Sequence, residues 1–513
     1  MRQQIHRHLY LIGLLALVVG LTTSHFLMSL SWVVLGANWI LEGRYKQKFA
    51  GFKSQRLLLL YLFFFAFFLI GLLWSSNLPV GLDYVRKRLP LLIVPVVILT
   101  SQPLERREYY ALLGAYIITV FVASVIGLVR LATIPHLPYR DIVPFISNIR
   151  YALNLCVSAC LLLWFCHRLP GEKSALIWSF RLLALYFAGY LLLLQSYTGI
   201  VVLFVVATVC LIVYRKEISK PIWIGAIALI AVSVIGLSVT FVGLARSYFT
   251  PSELTSQPLE TTTPSGNPYS HSDDTFIECG NYVNHYVCDI ELRRGWAEKS
   301  SMCIDSLTPN GYSVYPTLVR YLNVTSGRKD SLSVAQLTPD DVSAIEQGIA
   351  NPYYTRKFSP RRMCYSLFFE YESYRRYHAV VGFSMLQRIE LWKAGWLVFL
   401  DHPFFGTGTG DYIDLCHEKL AAMDSPIEQT TWRTHVHSQY LTLLVMFGLV
   451  GFLILAGAFI YTLRTLSSST YFPYLLIITV LLVSMLTENT LDTIGGYMMC
   501  AFFPPFFDKH HKI

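Results

Sequence analysis

Runs of apolar residues long enough to cross a bilayer recur along most of this chain, and that recurrence limits its fold more than any other feature. A membrane-spanning helix needs about 17–25 apolar residues. Candidate runs fall near 9–23, 26–41, 57–74, 89–100, 109–130, 150–166, 182–196, 199–214, 221–245, 438–463, 471–487 and 495–507. In lipid each backbone polar group must be satisfied within its own segment, so such runs read as helices. Hydrophobic residues make up 54% of the 513, charged residues only 14%, and the mean hydropathy is +0.48. Soluble proteins carry roughly 25% charged residues, so a soluble enzyme, a disordered scaffold and a free nucleic-acid binder are excluded. The sequence predicts an all-α polytopic integral membrane protein of about twelve transmembrane helices, with one long extracytoplasmic insertion of mixed structure.

The net charge of +9 sits largely in short loops between apolar runs, where Lys and Arg set orientation. Arg2 and Arg7, the 42–56 loop with Lys53, then Arg106, Arg107, Arg168, Lys173, Arg215, Lys216 and Arg464 all fall on one side. That count places both termini in the cytoplasm and residues 246–436 outside. Arg86, Lys87, Arg88, Arg140, Arg150 and Arg388 break the rule on the outer side. Ionisable residues gather at that surface, while mid-span positions are apolar. This favours surface chemistry over a transport path, which needs polar residues through the bilayer.

Three regions follow: an N-terminal transmembrane region at 1–245, the polar insertion at 246–436, and a C-terminal transmembrane region at 437–513. The insertion begins with PSELTSQPLETTTPSGNPYSHSDD, which reads as flexible chain. It is too long for a bare connection, so it should hold a subdomain. Cys279, Cys288, Cys303, Cys364 and Cys416 lie in polar sequence, where an oxidising compartment would allow one or two disulfides. The NVT sequon at Asn323 is a short pattern that arises by chance.

Two stretches carry the chemistry. In HSQYLTLLVMFGLVG, His437 stands where the insertion ends and a membrane helix begins. A histidine in a first helical turn feels the positive end of the dipole and stays neutral. Neutral imidazole suits a general base for a hydroxyl. In LQRIELWKAGWLVFLDHPFFGTGTGDY, Ile389, Trp392, Trp396 and Phe399 recur at helical spacing, which suits a membrane-surface helix near 386–400 with Arg388 at its start. The run Gly406, Gly408, Gly410 lacks a following Lys at phosphate-loop spacing and reads as a tight turn. His435 and His437 in THVHS could suggest a metal. An H-x-H pair shares a face only when extended, and His437 starts a helix.

These stretches resemble the core of the O-antigen ligase and polymerase superfamily, with its Wzy C-terminal domain. Arg388, Trp392 and Ala394 match the first motif, His402, Pro403, Gly406, Gly408 and Gly410 the second, and His437 to Gly451 the third. TENTLDTIGGYMMCAFFPPFF is similar to the closing pattern, and LLLLQSYTGIVVL is weakly similar to a Ser-Arg-Gly helix start, with Tyr197 in the arginine's place. The resemblance implies a metal-independent membrane glycosyltransferase of the bacterial inner membrane, with no cofactor and no nucleic-acid partner. It implies transfer of a glycan from an undecaprenyl-diphosphate carrier to a hydroxyl, on lipid A-core for a ligase, on another repeat for a polymerase, or on a protein. His437 and Arg388 are the catalytic candidates, and Arg388, Arg150, Arg86 and Arg88 the candidates for the diphosphate. His435, outside the motif place, is expected to matter far less than His437.

Overall fold

A computed structural model of the chain describes residues 1–513 except 51–54, 135–136, 138–140, 169–173, 217–218, 257, 356–358, 428–434, 465–470 and 511–513. Lys53, Arg140 and Lys173 lie outside the described residues. Each of the twelve apolar runs coincides with a helix. Seven of these are long and apolar enough to cross a membrane: Arg2–Thr23, Arg56–Trp74, Arg106–Thr133, Asn148–Cys166, Ser174–Leu194, Lys220–Thr255 and Gln439–Arg464. Tyr197–Val213 and Pro473–Thr487 are shorter apolar helices. The chain is therefore an all-α multi-pass membrane protein, with fewer full-length spans among the described residues than the twelve runs suggest. Length explains the helix Pro90–Thr100, whose 11 residues rise about 16 Å against roughly 30 Å of hydrocarbon. The helix Ile494–Lys509 differs in another way, since every residue from Gly495 to Phe507 is buried. A helix apolar on all faces belongs inside its bundle, and here Phe506 stacks on Tyr109 with ring centroids 5.0 Å apart.

The described residues form two compact units, 1–217 with 388–513, and 218–387. In the first, polar side chains tie helices to one another. Asn154 accepts from the Tyr116 hydroxyl at 2.7 Å and donates to Leu21 O at 3.1 Å, the interhelical hydrogen bonding that apolar surroundings reward.

In the second unit the helix Lys220–Phe249 precedes a small subdomain and packs on it. Tyr248 and Phe249 meet Tyr365 and Phe368 of the helix Pro360–Tyr377, with centroids 5.1 and 5.5 Å apart. Leu292, Trp296, Leu318, Leu322, Val334, Ala344 and Ile345 form the subdomain core. Ile277–Glu278 pairs antiparallel with Asn281–Tyr282. The segment read as flexible is tied down: Ser270 N donates to Val287 O at 2.7 Å, and the Tyr269 hydroxyl donates to Asp330 at 2.6 Å. Asn323 is fully buried and holds the Lys329 ammonium at 2.7 Å, so its sequon is not a surface acceptor. Lys329 also donates to Tyr282 O and His285 O, and burial lowers its pKa to about 7. All ten cysteines are free in this structure.

Candidate active site

The glycine motif serves backbone packing. Gly448, at φ 64° and ψ −173°, interrupts the helix Gln439–Arg464. The backbone groups freed there pair with the His402–Gly408 segment. Thr407 N and Gly408 N donate to Val445 O and Met446 O at 2.9 Å each. Leu449 N and Val450 N donate to Pro403 O and Phe404 O at 2.8 and 3.1 Å. A Cβ at Gly448 would lie 2.2 Å from Phe404 O, and one at Gly406 would lie 2.4 Å from the Met446 carbonyl carbon. Next in the chain, Asp411 accepts from Ser76 N and Asn77 N at 2.7 Å each. The turn thus joins the loop after Arg56–Trp74 to the segment leading to His437, and its amides from Gly406 to Gly410 are committed to carbonyls and the Ser75 hydroxyl rather than to a phosphate.

His437 lies two residues before the helix Gln439–Arg464, in the left-handed region at φ 55°. The sequence expectation placed it inside the first turn, where the dipole would keep it neutral. Burial instead is the main cause of its lowered pKa; Glu488 pulls the other way, and Arg388, His435 and Arg150 add to the lowering. Its carbonyl accepts from Trp392 Nε1 at 3.2 Å, which ties it to the helix Ser384–Asp401. Among the described residues no group hydrogen-bonds its imidazole. That helix buries Leu391, Ala394 and Val398 and leaves Ile389, Trp396 and Leu400 exposed.

Two carboxylates organise the rest, and the sequence reading named neither as a site residue. Both lie between the helices Tyr471–Thr487 and Ile494–Lys509. Glu488 accepts from Arg388 Nη2 at 2.6 Å and pairs with Arg150 Nη2 at 3.7 Å. Arg388 Nε also donates to Thr487 O at 3.2 Å. Asp492, its side chain fully buried, pairs with Arg88 and accepts from the Tyr84 hydroxyl at 2.7 Å and from Asn489 Nδ2 at 2.6 Å. Against the effect of burial, Arg88 and then His435 hold its carboxyl down at about 2.

Of the predicted residues, Arg388, Arg150 and His437 therefore share one electrostatic neighbourhood around Glu488. Arg88 joins Asp492 instead. Arg86 is exposed and pairs with Asp83, three residues earlier on its own helix. Arg150 Nη1 is buried with no hydrogen-bond partner among the described residues, as is Gln439 Nε2. A buried donor left unpaired costs about 1–3 kcal/mol, so these two call for an acceptor. Among the described residues no three His, Cys, Asp or Glu side chains converge as metal ligands. The signal for Glu488 lay in the TENTLD segment, and asking which acids neutralise the outward arginines would have found both carboxylates.

A family model described as O-antigen ligase matches residues 359–456. This is the superfamily that the Arg388, His402–Gly410 and His437–Gly451 motifs resemble. No curated protein matches the chain.

Proposed function

We propose, from a chain that carries an O-antigen ligase domain at residues 359–456, that this protein is a membrane glycosyltransferase working on the periplasmic face. It moves a glycan from a polyprenyl diphosphate to an acceptor hydroxyl, most closely as a ligase attaching polysaccharide to lipid A-core. One observation carries the reading: Glu488 joins Arg388 and Arg150 in the electrostatic neighbourhood of a half-buried histidine with lowered pKa.

The chemistry follows from those groups. Neutral His437 takes the proton of the attacking hydroxyl. As the bond between the anomeric carbon and the diphosphate breaks, negative charge grows on the phosphate oxygens. Arg388 and Arg150 answer it, since guanidinium stays charged and matches phosphate geometry. The diphosphate replaces Glu488 on the arginine donors and also engages the open Nη1 of Arg150. An apolar groove of about 210 Å³, lined by Leu57, Tyr61, Phe64, Tyr440, Leu482 and Leu491 among others, suits an isoprenoid tail. Tyr440 and Leu491 neighbour His437 and Asp492 in sequence, so tail and diphosphate are served by adjoining segments.

A polymerase or protein oligosaccharyltransferase would use the same groups. Deleting the gene and separating surface glycans on a gel distinguishes them. Loss of polymer from lipid A-core with lipid-linked polymer accumulating is the ligase outcome. Single-repeat caps mean a polymerase, altered glycoproteins an oligosaccharyltransferase, and unchanged glycans overturn the transferase reading.

A further inference from the structure

His435 lies outside the motif place, yet it is built into the site more firmly than His437. Its Nδ1 is 2.6 Å from the Tyr412 hydroxyl and 3.4 Å from Asp492 Oδ2. Its ring stacks on Tyr412, with centroids 6.2 Å apart and planes 19° apart. The Tyr412 side chain is fully buried. Asp492 is fixed by Arg88, Tyr84 and Asn489, so Nδ1 faces a rigid, ionised carboxylate. The side chain nevertheless remains 37% exposed, and among the described residues nothing hydrogen-bonds Nε2. A histidine hydrogen-bonded at Nδ1 by a buried tyrosine beside a carboxylate, with no partner at Nε2 among the described residues, has the layout of an acid–base residue. His435 is also among the charged neighbours of His437, so the two rings serve one region.

We propose that His435 is a second acid–base residue of this site, donating from Nε2 to the leaving diphosphate while His437 accepts the proton of the attacking hydroxyl. The proposal rests on the transferase reading and departs from the sequence expectation for His435. The acceptor oxygen bonds to the anomeric carbon, and the bond from that carbon to the diphosphate oxygen breaks, leaving its electron pair on the oxygen. The hydroxyl proton goes to His437. The proton on His435 Nε2 goes to the departing oxygen. Passage of one proton from His437 to His435, directly or through water, restores both rings, and no other reactant is needed. Asp492 lies 3.4 Å from His435 Nδ1, where its negative charge compensates the positive ring that the step requires. The remaining charged or titratable groups facing the pair are Arg88, Tyr84, Tyr412, Glu488, Arg388 and Arg150.

The test is binding of undecaprenyl diphosphate to the purified full chain in detergent, with glycan transfer from a lipid-linked donor measured beside it. His435→Asn keeps a donor toward Asp492 and Tyr412 while lacking Nε2, so it should fold like the wild type, bind the diphosphate about tenfold more weakly, the scale of one charge-assisted hydrogen bond, and lose transfer by at least that factor. His435→Gln returns an amide donor near the place of Nε2, so it should regain part of the binding but not the transfer, because an amide gives up no proton. Wild-type affinity and transfer in His435→Asn overturn the second acid–base role alone. Absence of saturable binding by the wild type overturns the transferase reading together with it.

Discussion

Glu488 holds Arg388 through Nη2 at 2.6 Å while Arg388 Nε reaches Thr487 O at 3.2 Å, so one guanidinium uses two donors in a fixed fork. Lysine would present a point charge and keep only one of those bonds. Arg388→Lys should therefore accumulate in the membrane as folded protein yet lose about tenfold or more in glycan transfer, roughly one charge-assisted bond; in vitro turnover with a lipid-linked donor measures it. For His437, burial lowers the pKa below the ordinary 6.5, and as the proposed base it works as the neutral ring. Transfer should fall as pH drops through that lowered pKa, placing the acid limb below 6.5. His437→Ala should lose about 100- to 10,000-fold and with it the limb; a mutant retaining the wild-type acid limb would remove the assignment. Arg388 and His437 were legible because a motif holds each beside its neighbours in sequence. Asp492 was not, because its meaning comes from Arg88, 404 residues away, and no local spacing encodes that pair.

Among the elements, the apolar helices were visible at once, because a membrane helix repeats one physical demand over some twenty residues. The break at Gly448 was invisible for the same reason: hydropathy does not change across GLVG, whereas the backbone does. Its partner strand of chain, Pro403–Gly408, was read only as a turn. Gly448→Ala would force a side chain into a left-handed conformation and against Phe404 O. Strain of about 1–3 kcal/mol adds to a clash of similar size. Thermal inactivation in detergent should come several degrees earlier than for the wild type. Gly457→Ala, on the same helix with nothing within 4 Å of its Cβ, should be close to neutral. Equal losses at both positions would mean that the break has no special structural weight.

At the scale of the whole molecule, we propose from the charge count that residues 246–436 face the periplasm and both termini the cytoplasm. Ser265 is exposed in the subdomain, so Ser265→Cys in a chain whose exposed Cys303 is replaced by Ser should react with a membrane-impermeant maleimide on intact cells. Labelling that requires permeabilised cells would reverse the topology and remove the proposed chemistry from its compartment. The second unit runs unbroken from 218 to 387 and contains both the subdomain and the helix Lys220–Phe249, whose apolar stretch has no buried residue. A segment that brings its own bilayer anchor has the makings of a cassette, continuous in sequence between residues 218 and 387. Exchanging residues 218–387 between relatives would leave Arg88, Arg150, Arg388, His435 and His437, which all belong to the first unit, in place.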